Sequence, residues 1–264
     1  MATRLIHGVF IEDQGEGTDV VFCIHGLGGT SNTWTPLLPA FEGKRVVRID
    51  LPGSARSAFP DTPLSIASYV ATVLDVLDAL NLEAVHLAAH SMGTIVAQHL
   101  AVDHPTRVKT LVLFGPLAAP PEPARQATHA RAALARTGEV GMQEIADTIV
   151  KVATSQETKV ERPITLALIR ESIMRQTSEG YARSCEALAG AQAAQIENVH
   201  VPALLVTGTE DGVGSPAGVQ ALAARLDNSK TVILEGCGHW TTFEKPFDCI
   251  EALGDFYQQQ HANH

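Results

Sequence analysis

Short apolar runs recur along the chain at 20–24, 45–49, 85–89, 110–114, 203–207 and 231–234. They are rich in Val, Ile and Leu and scarcely alternate with polar residues, as strands buried on both faces of a parallel sheet do. Helical periods lie between several of them. Ile66, Val70, Val73, Leu74, Leu77 and Leu80 recur at three- and four-residue intervals, with Ser65 placed to cap the start. Segments 92–102 and 219–226 read as shorter helices, and 246–257 as a last one with Pro246 in its first turn. The opening segment 5–11 reads as one edge strand. Strand–helix alternation of this kind predicts a three-layer α/β sandwich, a mostly parallel sheet flanked by helices.

The alternation stops between Pro116 and Asn198. Pro116, Pro120, Pro121 and Pro123 give way to helical stretches at 127–136, 142–152, 164–174 and 180–194, with no strand among them. Over seventy residues without a strand is too long for one crossover. Residues 117–198 are therefore expected to form a helical cap inserted into a body built from 1–116 and 199–264.

Composition narrows the classes. The chain has 264 residues and a net charge of −10, which argues against nucleic acid as a partner, since phosphates require a basic surface. The acid lies in the body, because residues 117–195 carry nine basic and nine acidic side chains. No apolar run reaches the ~18 residues of a membrane span, so no membrane partner is expected. The N-terminus lacks the long apolar segment of a signal peptide, which makes the cytoplasm the expected location. Cys23, Cys185, Cys237 and Cys249 have no C-x-x-C spacing and read as four thiols. A small-molecule substrate is expected, and homo-oligomerisation is left open.

Candidate chemistry gathers where the apolar runs end. After 85–89 comes Ala89-His90-Ser91-Met92-Gly93, leading into a helical pattern. A strand, a sharp turn and a helix around small-x-Ser-x-Gly form a nucleophile elbow, in which a strained backbone projects the serine hydroxyl clear of the sheet. Gly93 satisfies the need for small neighbours, and Ala89 stands where the motif has Gly. Taken alone, the stretch could also be a helix start with a serine N-cap. The other run ends carry His25-Gly26-Leu27-Gly28-Gly29, Asp50-Leu51-Pro52-Gly53-Ser54-Ala55-Arg56-Ser57, Gly208-Thr209-Glu210-Asp211-Gly212 and Gly236-Cys237-Gly238-His239-Trp240. Ligands bind at these ends of an open α/β sheet.

Five motifs in this order resemble the α/β-hydrolase superfamily, across essentially the whole sequence. The resemblance implies Ser91 as nucleophile, Asp211 rather than Glu210 as acid and His239 as base. It also implies the backbone N–H groups of Leu27 and Met92 as the oxyanion hole. A serine hydroxyl attacks at neutral pH only if a positioned imidazole takes its proton. His25 and His90 match positions that pack or bond locally, and Arg56 and Asp50 read as holding their turn. Ser91 in place of Asp argues against dehalogenase and epoxide hydrolase chemistry.

Residues 177–188 are similar to the corresponding stretch of 3-oxoadipate enol-lactonases. That implies an esterase or lactonase of a small, anionic substrate, for which Arg125, Arg131, Arg175 and Arg183 are candidate cations. A carbon–carbon bond hydrolase of ring-cleavage products is the alternative, and a slow or inactive ligand receptor on the same fold is another. Trp34, Phe114, Leu117 and Trp240 are candidate pocket residues near the strand ends. No His/Asp cluster has zinc spacing and no dinucleotide or Walker pattern is present, so neither metal nor cofactor is expected.

Overall fold

Eight strands among the described residues, 2–262 of a computed structural model, share one sheet. They are β1 (Ala2–Ile6), β2 (Val9–Gln14), β3 (Val20–Ile24), β4 (Arg45–Ile49), β5 (Val85–His90), β6 (Val108–Phe114), β7 (Ala203–Gly208) and β8 (Ser229–Leu234). Their order is β1-β2-β4-β3-β5-β6-β7-β8, antiparallel as far as β4 and parallel from there on.

The unalternating sequence has a direct cause. On β3, Val20, Phe22 and Ile24 enter one core, while Val21 and Cys23 enter another on the opposite face. β5, β6 and β7 divide in the same way, Leu87 and Ala89 against Ala88 for instance. The first core is closed by α1 (Ile66–Ala79), α2 (Met92–Asp103) and, later in the chain, the helix Pro216–Ala223. The second is closed by a 3-10 segment (Ser31–Phe41) and the last helix, Pro246–Ala262. Ser65 caps α1 as its sequence predicts, accepting from the Ser68 N–H at 3.1 Å.

One expectation is corrected. Segment 5–11 is not a single edge strand: β1 and β2 form a hairpin that turns at His7 and Gly8, with φ of 50° and 80°. Two consecutive positive φ values match the twist of a tight hairpin, and a His-Gly pair is a weaker signal for it than Asn-Gly.

Between β6 and β7 lie five helices and no strand: α3 (Glu122–Ala135), α4 (Glu139–Val152), α5 (Gln156–Glu161), α6 (Pro163–Met174) and α7 (Ser178–Ala189). They enclose a third core, including Met142, Ile145, Ile169, Ile173 and Tyr181, which Trp240 and Phe243 complete from beyond β8. In chain order α8 is Pro216–Ala223, α9 is Thr241–Glu244 and α10 is Pro246–Ala262. No described helix is long and apolar enough to cross a membrane.

Candidate active site

β5 passes into α2 through one residue. Ser91 has φ 51° and ψ −122°, a backbone conformation that an L-residue keeps only when its surroundings enforce it. Its N–H donates to the Phe114 carbonyl at 2.9 Å. The enforcing contacts are close. A Cβ on Gly93 would lie 2.5 Å from the His25 carbonyl oxygen, and one on Gly26 would lie 2.6 Å from the Ser91 Cβ. Ala89 is accommodated because it sits within the ladder, opposite Ile24 and Leu113, rather than in the turn. The Ser91 side chain does not cap α2.

Its hydroxyl instead meets His239, with Oγ 2.8 Å from Nε2. The His239 Nδ1–H faces both Asp211 oxygens, at 3.0 and 2.9 Å. Asp211 Oδ1 also accepts the backbone N–H groups of Val213 (2.7 Å) and Gly214 (2.8 Å). The Thr207 hydroxyl donates to the Gly214 carbonyl and lies 3.2 Å from Oδ2. Burial opposes charge on Asp211, but His239 and the two N–H donors outweigh it and hold the carboxyl at about 2. Glu210, the rival acid, accepts the Gln156 N–H at 2.8 Å and is not hydrogen-bonded to His239.

Leu27 and Met92 stand on either side of the elbow. The Gly26 carbonyl accepts from His25 Nδ1–H (2.7 Å) and from the Gly29 N–H (3.0 Å). That fixes the peptide whose opposite edge carries the Leu27 N–H. Met92 opens α2, where the first N–H groups have no acceptor within the helix. His25 Nε2 accepts the Leu51 N–H at 2.9 Å, so both ring nitrogens are engaged and burial keeps the ring neutral. His90 lies between the rings of His239 and Trp240, and its Nε2–H donates to the His239 carbonyl at 2.9 Å. Burial pushes its pKa down to about 3, with the neighbouring His239 adding to the effect. It is therefore neutral at physiological pH.

The pocket candidates separate. Trp34 and Phe114 are fully buried in the second core, in edge-to-face contact at 5.8 Å, and that packing explains them. Leu117 packs on the first core, its carbonyl accepting from Gln98. Trp240 belongs to the third core. Of the arginines, Arg125 donates to the carbonyls of Ala189 and Ala191 at the end of α7. Arg183 pairs with Glu179 at 2.9 Å and donates to the Pro60 carbonyl, and Arg175 is exposed. Arg131 is half-buried beside the Tyr181 hydroxyl, without a carboxylate partner among the described residues. The Tyr181 ring lies against Gly28, 3.3 Å from where a Cβ would stand. Arg56 and Asp50 are joined at 2.7 Å, in a network with Glu12 and Ser31. All four cysteines are buried and free. Among the described residues no group of three His, Cys, Asp or Glu side chains is disposed to hold a metal ion.

Several contributors had no sequence signal. The Val213 and Gly214 N–H groups follow Asp211 in a turn that periodicity does not mark. Ser172 Oγ donates to the Gly28 carbonyl at 2.7 Å, and Gln176 Nε2 reaches the Gly28 and Gly29 carbonyls across some 147 residues of chain.

Residues 19–246 match the model of the alpha/beta hydrolase fold. The chain belongs to this family. A 3-oxoadipate enol-lactonase of Acinetobacter baylyi is 29% identical over 84% of the chain and 82% of its own length. A 2-hydroxy-6-oxononadienedioate/2-hydroxy-6-oxononatrienedioate hydrolase of Pseudomonas putida is 30% identical over 93% of the chain and 90% of its own. Among solved structures, the enol-lactonase from Burkholderia xenovorans LB400 superposes with a TM-score of 0.89 at 26% identity, covering 97% of this chain and all of that one. The protein is an enzyme of the hydrolase class.

Proposed function

We propose that the protein cleaves a small carboxylic ester or lactone through an acyl-enzyme on Ser91. The observation that carries this reading is the unbroken line from Asp211 through His239 to Ser91 Oγ, ending on a strained turn. His239 Nε2 takes the Ser91 proton as Oγ attacks the carbonyl carbon, and then delivers it to the leaving oxygen. Water repeats the sequence on the acyl-enzyme. Asp211 keeps the proton on Nδ1, so that Nε2 is free to accept, and stabilises the imidazolium. The Leu27 and Met92 N–H groups stabilise the oxyanion, a contribution of about 3–4 kcal/mol for each donor. Residues 117–198 act as a cap over the site, consistent with exposures of only 8% for Ser91 and 6% for His239.

The substrate is anionic. The names of both curated relatives specify dicarboxylates, an oxoadipate and a dienedioate. Arg131, unpaired with any described carboxylate and next to Tyr181 beside the oxyanion loop, is the cation best placed to meet the second carboxylate. A second reading, carbon–carbon cleavage of a ring-cleavage dienone, is favoured by the relative that matches at 30% identity over nine-tenths of both chains. Turnover of a panel of enol-lactones, short esters and hydroxy-oxo-dienedioates separates the two. Preference for the lactones supports the proposal, preference for the dienedioate supports the second reading, and no multiple turnover on any of them refutes both.

A further inference from the structure

His239 belongs to no helix or strand. It lies between β8 and α9, and Gly236 and Gly238 precede it, residues that leave a loop free to move unless something grips it. What grips it is Glu244. This side chain is completely buried, and among the described residues it has no cationic partner. Its Oε1 accepts the Trp240 N–H at 3.1 Å, and its Oε2 accepts the Gly238 N–H at 3.1 Å. The same Oε2 accepts the Ser155 N–H (2.8 Å) and the Thr158 hydroxyl (2.9 Å) from the helical insertion. The N–H between, that of His239, donates to the Ala153 carbonyl at 2.9 Å.

Three consecutive backbone N–H groups thus end on Glu244 or on the insertion. Gly238 is pressed into the joint, since a Cβ there would lie 2.8 Å from Glu244 Oε1 and 2.8 Å from the Ser155 nitrogen. All four partners of the Glu244 side chain are donors, so both of its oxygens serve as acceptors. Without them a polar side chain would be buried with its hydrogen-bonding capacity unmet, which is costly.

We propose that Glu244 is a positioning residue for His239, gripping the backbone on both sides of the imidazole and tying it to residues 153–158 of the insertion. This rests on the reading of His239 as the base. The alignment of its ring with both Asp211 and Ser91 is then set partly by the insertion, so the cap contributes to catalysis beyond covering the site. Glutamine at 244 keeps the shape but has one acceptor oxygen. With that oxygen facing the three donors on the Oε2 side, its NH2 group meets the Trp240 N–H, donor against donor.

The test compares wild type, Glu244→Gln and Thr158→Val on p-nitrophenyl acetate, together with the far-downfield proton NMR signal of the His239–Asp211 hydrogen bond. For Glu244→Gln, kcat is expected to fall about thirtyfold, as a base displaced by a fraction of an ångström does, with KM within about twofold and the signal shifted. Thr158→Val removes one donor from the insertion side and leaves both N–H bonds of the histidine loop. It is expected to lower kcat about threefold with KM unchanged, and it carries the test if the glutamine variant does not fold. An unmoved signal with kcat within a factor of two in the variants that fold overturns the proposal. Ser91→Ala distinguishes the two failures: hydrolysis surviving there removes the reading of the reaction, whereas the NMR signal reports positioning without any turnover.

Discussion

Replacing Asp211 by Asn should nearly abolish hydrolysis while leaving the fold in place, and the hydrogen bonds show why. Oδ1 accepts two backbone N–H groups, from Val213 and Gly214, so the single oxygen of an asparagine must take that position. Its NH2 group then stands where Oδ2 was, near the Thr207 hydroxyl, which can accept from it, and 2.9 Å from His239 Nδ1. A donor there forces Nδ1 to become the acceptor and moves the ring proton to Nε2. Nε2 now points a hydrogen at Ser91 Oγ and can no longer take its proton. The same tautomer error in other serine triads costs ~10⁴ in kcat, which is ~5.5 kcal/mol of transition-state stabilisation. Hydrolysis of p-nitrophenyl butyrate near neutral pH reads the loss, with thermal melting as the check on folding. A folded variant that keeps more than about a tenth of wild-type kcat would refute the tautomer argument.

Three further outcomes follow from the same geometry. Asp211 is held at about 2 against an ordinary value of 3.8, so its charged form stabilises the fold above pH 3.8, by roughly 2 kcal/mol. That contribution is lost as pH falls toward 2, and urea midpoints should drop less steeply over this range in Asp211→Asn than in wild type. Equal slopes would contradict the assignment. Gly93→Ala drives a methyl group into the carbonyls of His25 and Ile24, main-chain atoms that cannot swing away, and should cost about 1–3 kcal/mol, read as a lowered Tm. An unchanged Tm would show that the elbow has more room than these contacts imply. Arg131→Leu should raise KM for an anionic lactone about tenfold and leave a neutral ester unaffected, as the loss of one charge-assisted bond does. Arg125→Leu and Arg183→Leu, whose guanidinium groups are occupied by carbonyls and Glu179, should not change that ratio.

The sheet was legible because its strands are buried on both faces: Val20–Ile24 and Arg45–Ile49 coincide with the apolar runs that announce them. Ser91, His239 and Asp211 come together because each follows a strand end, and strand ends can be located from hydrophobicity. What lay outside its reach is long-range or backbone-borne. The His7–Gly8 turn adds no hydrophobic break, so two strands read as one. Phe114 stands at a strand end, but the pleat directs it into the core beneath α10, and Trp34 enters the same core from the 3-10 segment Ser31–Phe41. α5 has only six residues, too few to show a period. Glu244 meets Ser155 and Thr158 across nearly ninety residues, and no pattern within α9 announces a buried carboxylate. The four arginines look alike in sequence, and only their partners and burial tell Arg131 from the rest.

Ester cleavage by this route requires Ser91 to form a covalent acyl intermediate with the aid of His239. Its most direct test is the intact mass of the protein after brief exposure to p-nitrophenyl acetate and acid quench, followed by peptide mapping. One acetyl group on Ser91, absent in Ser91→Ala and greatly slowed in His239→Ala, is the predicted result. Rapid hydrolysis with no adduct on Ser91, or an unchanged rate in Ser91→Ala, would contradict the account.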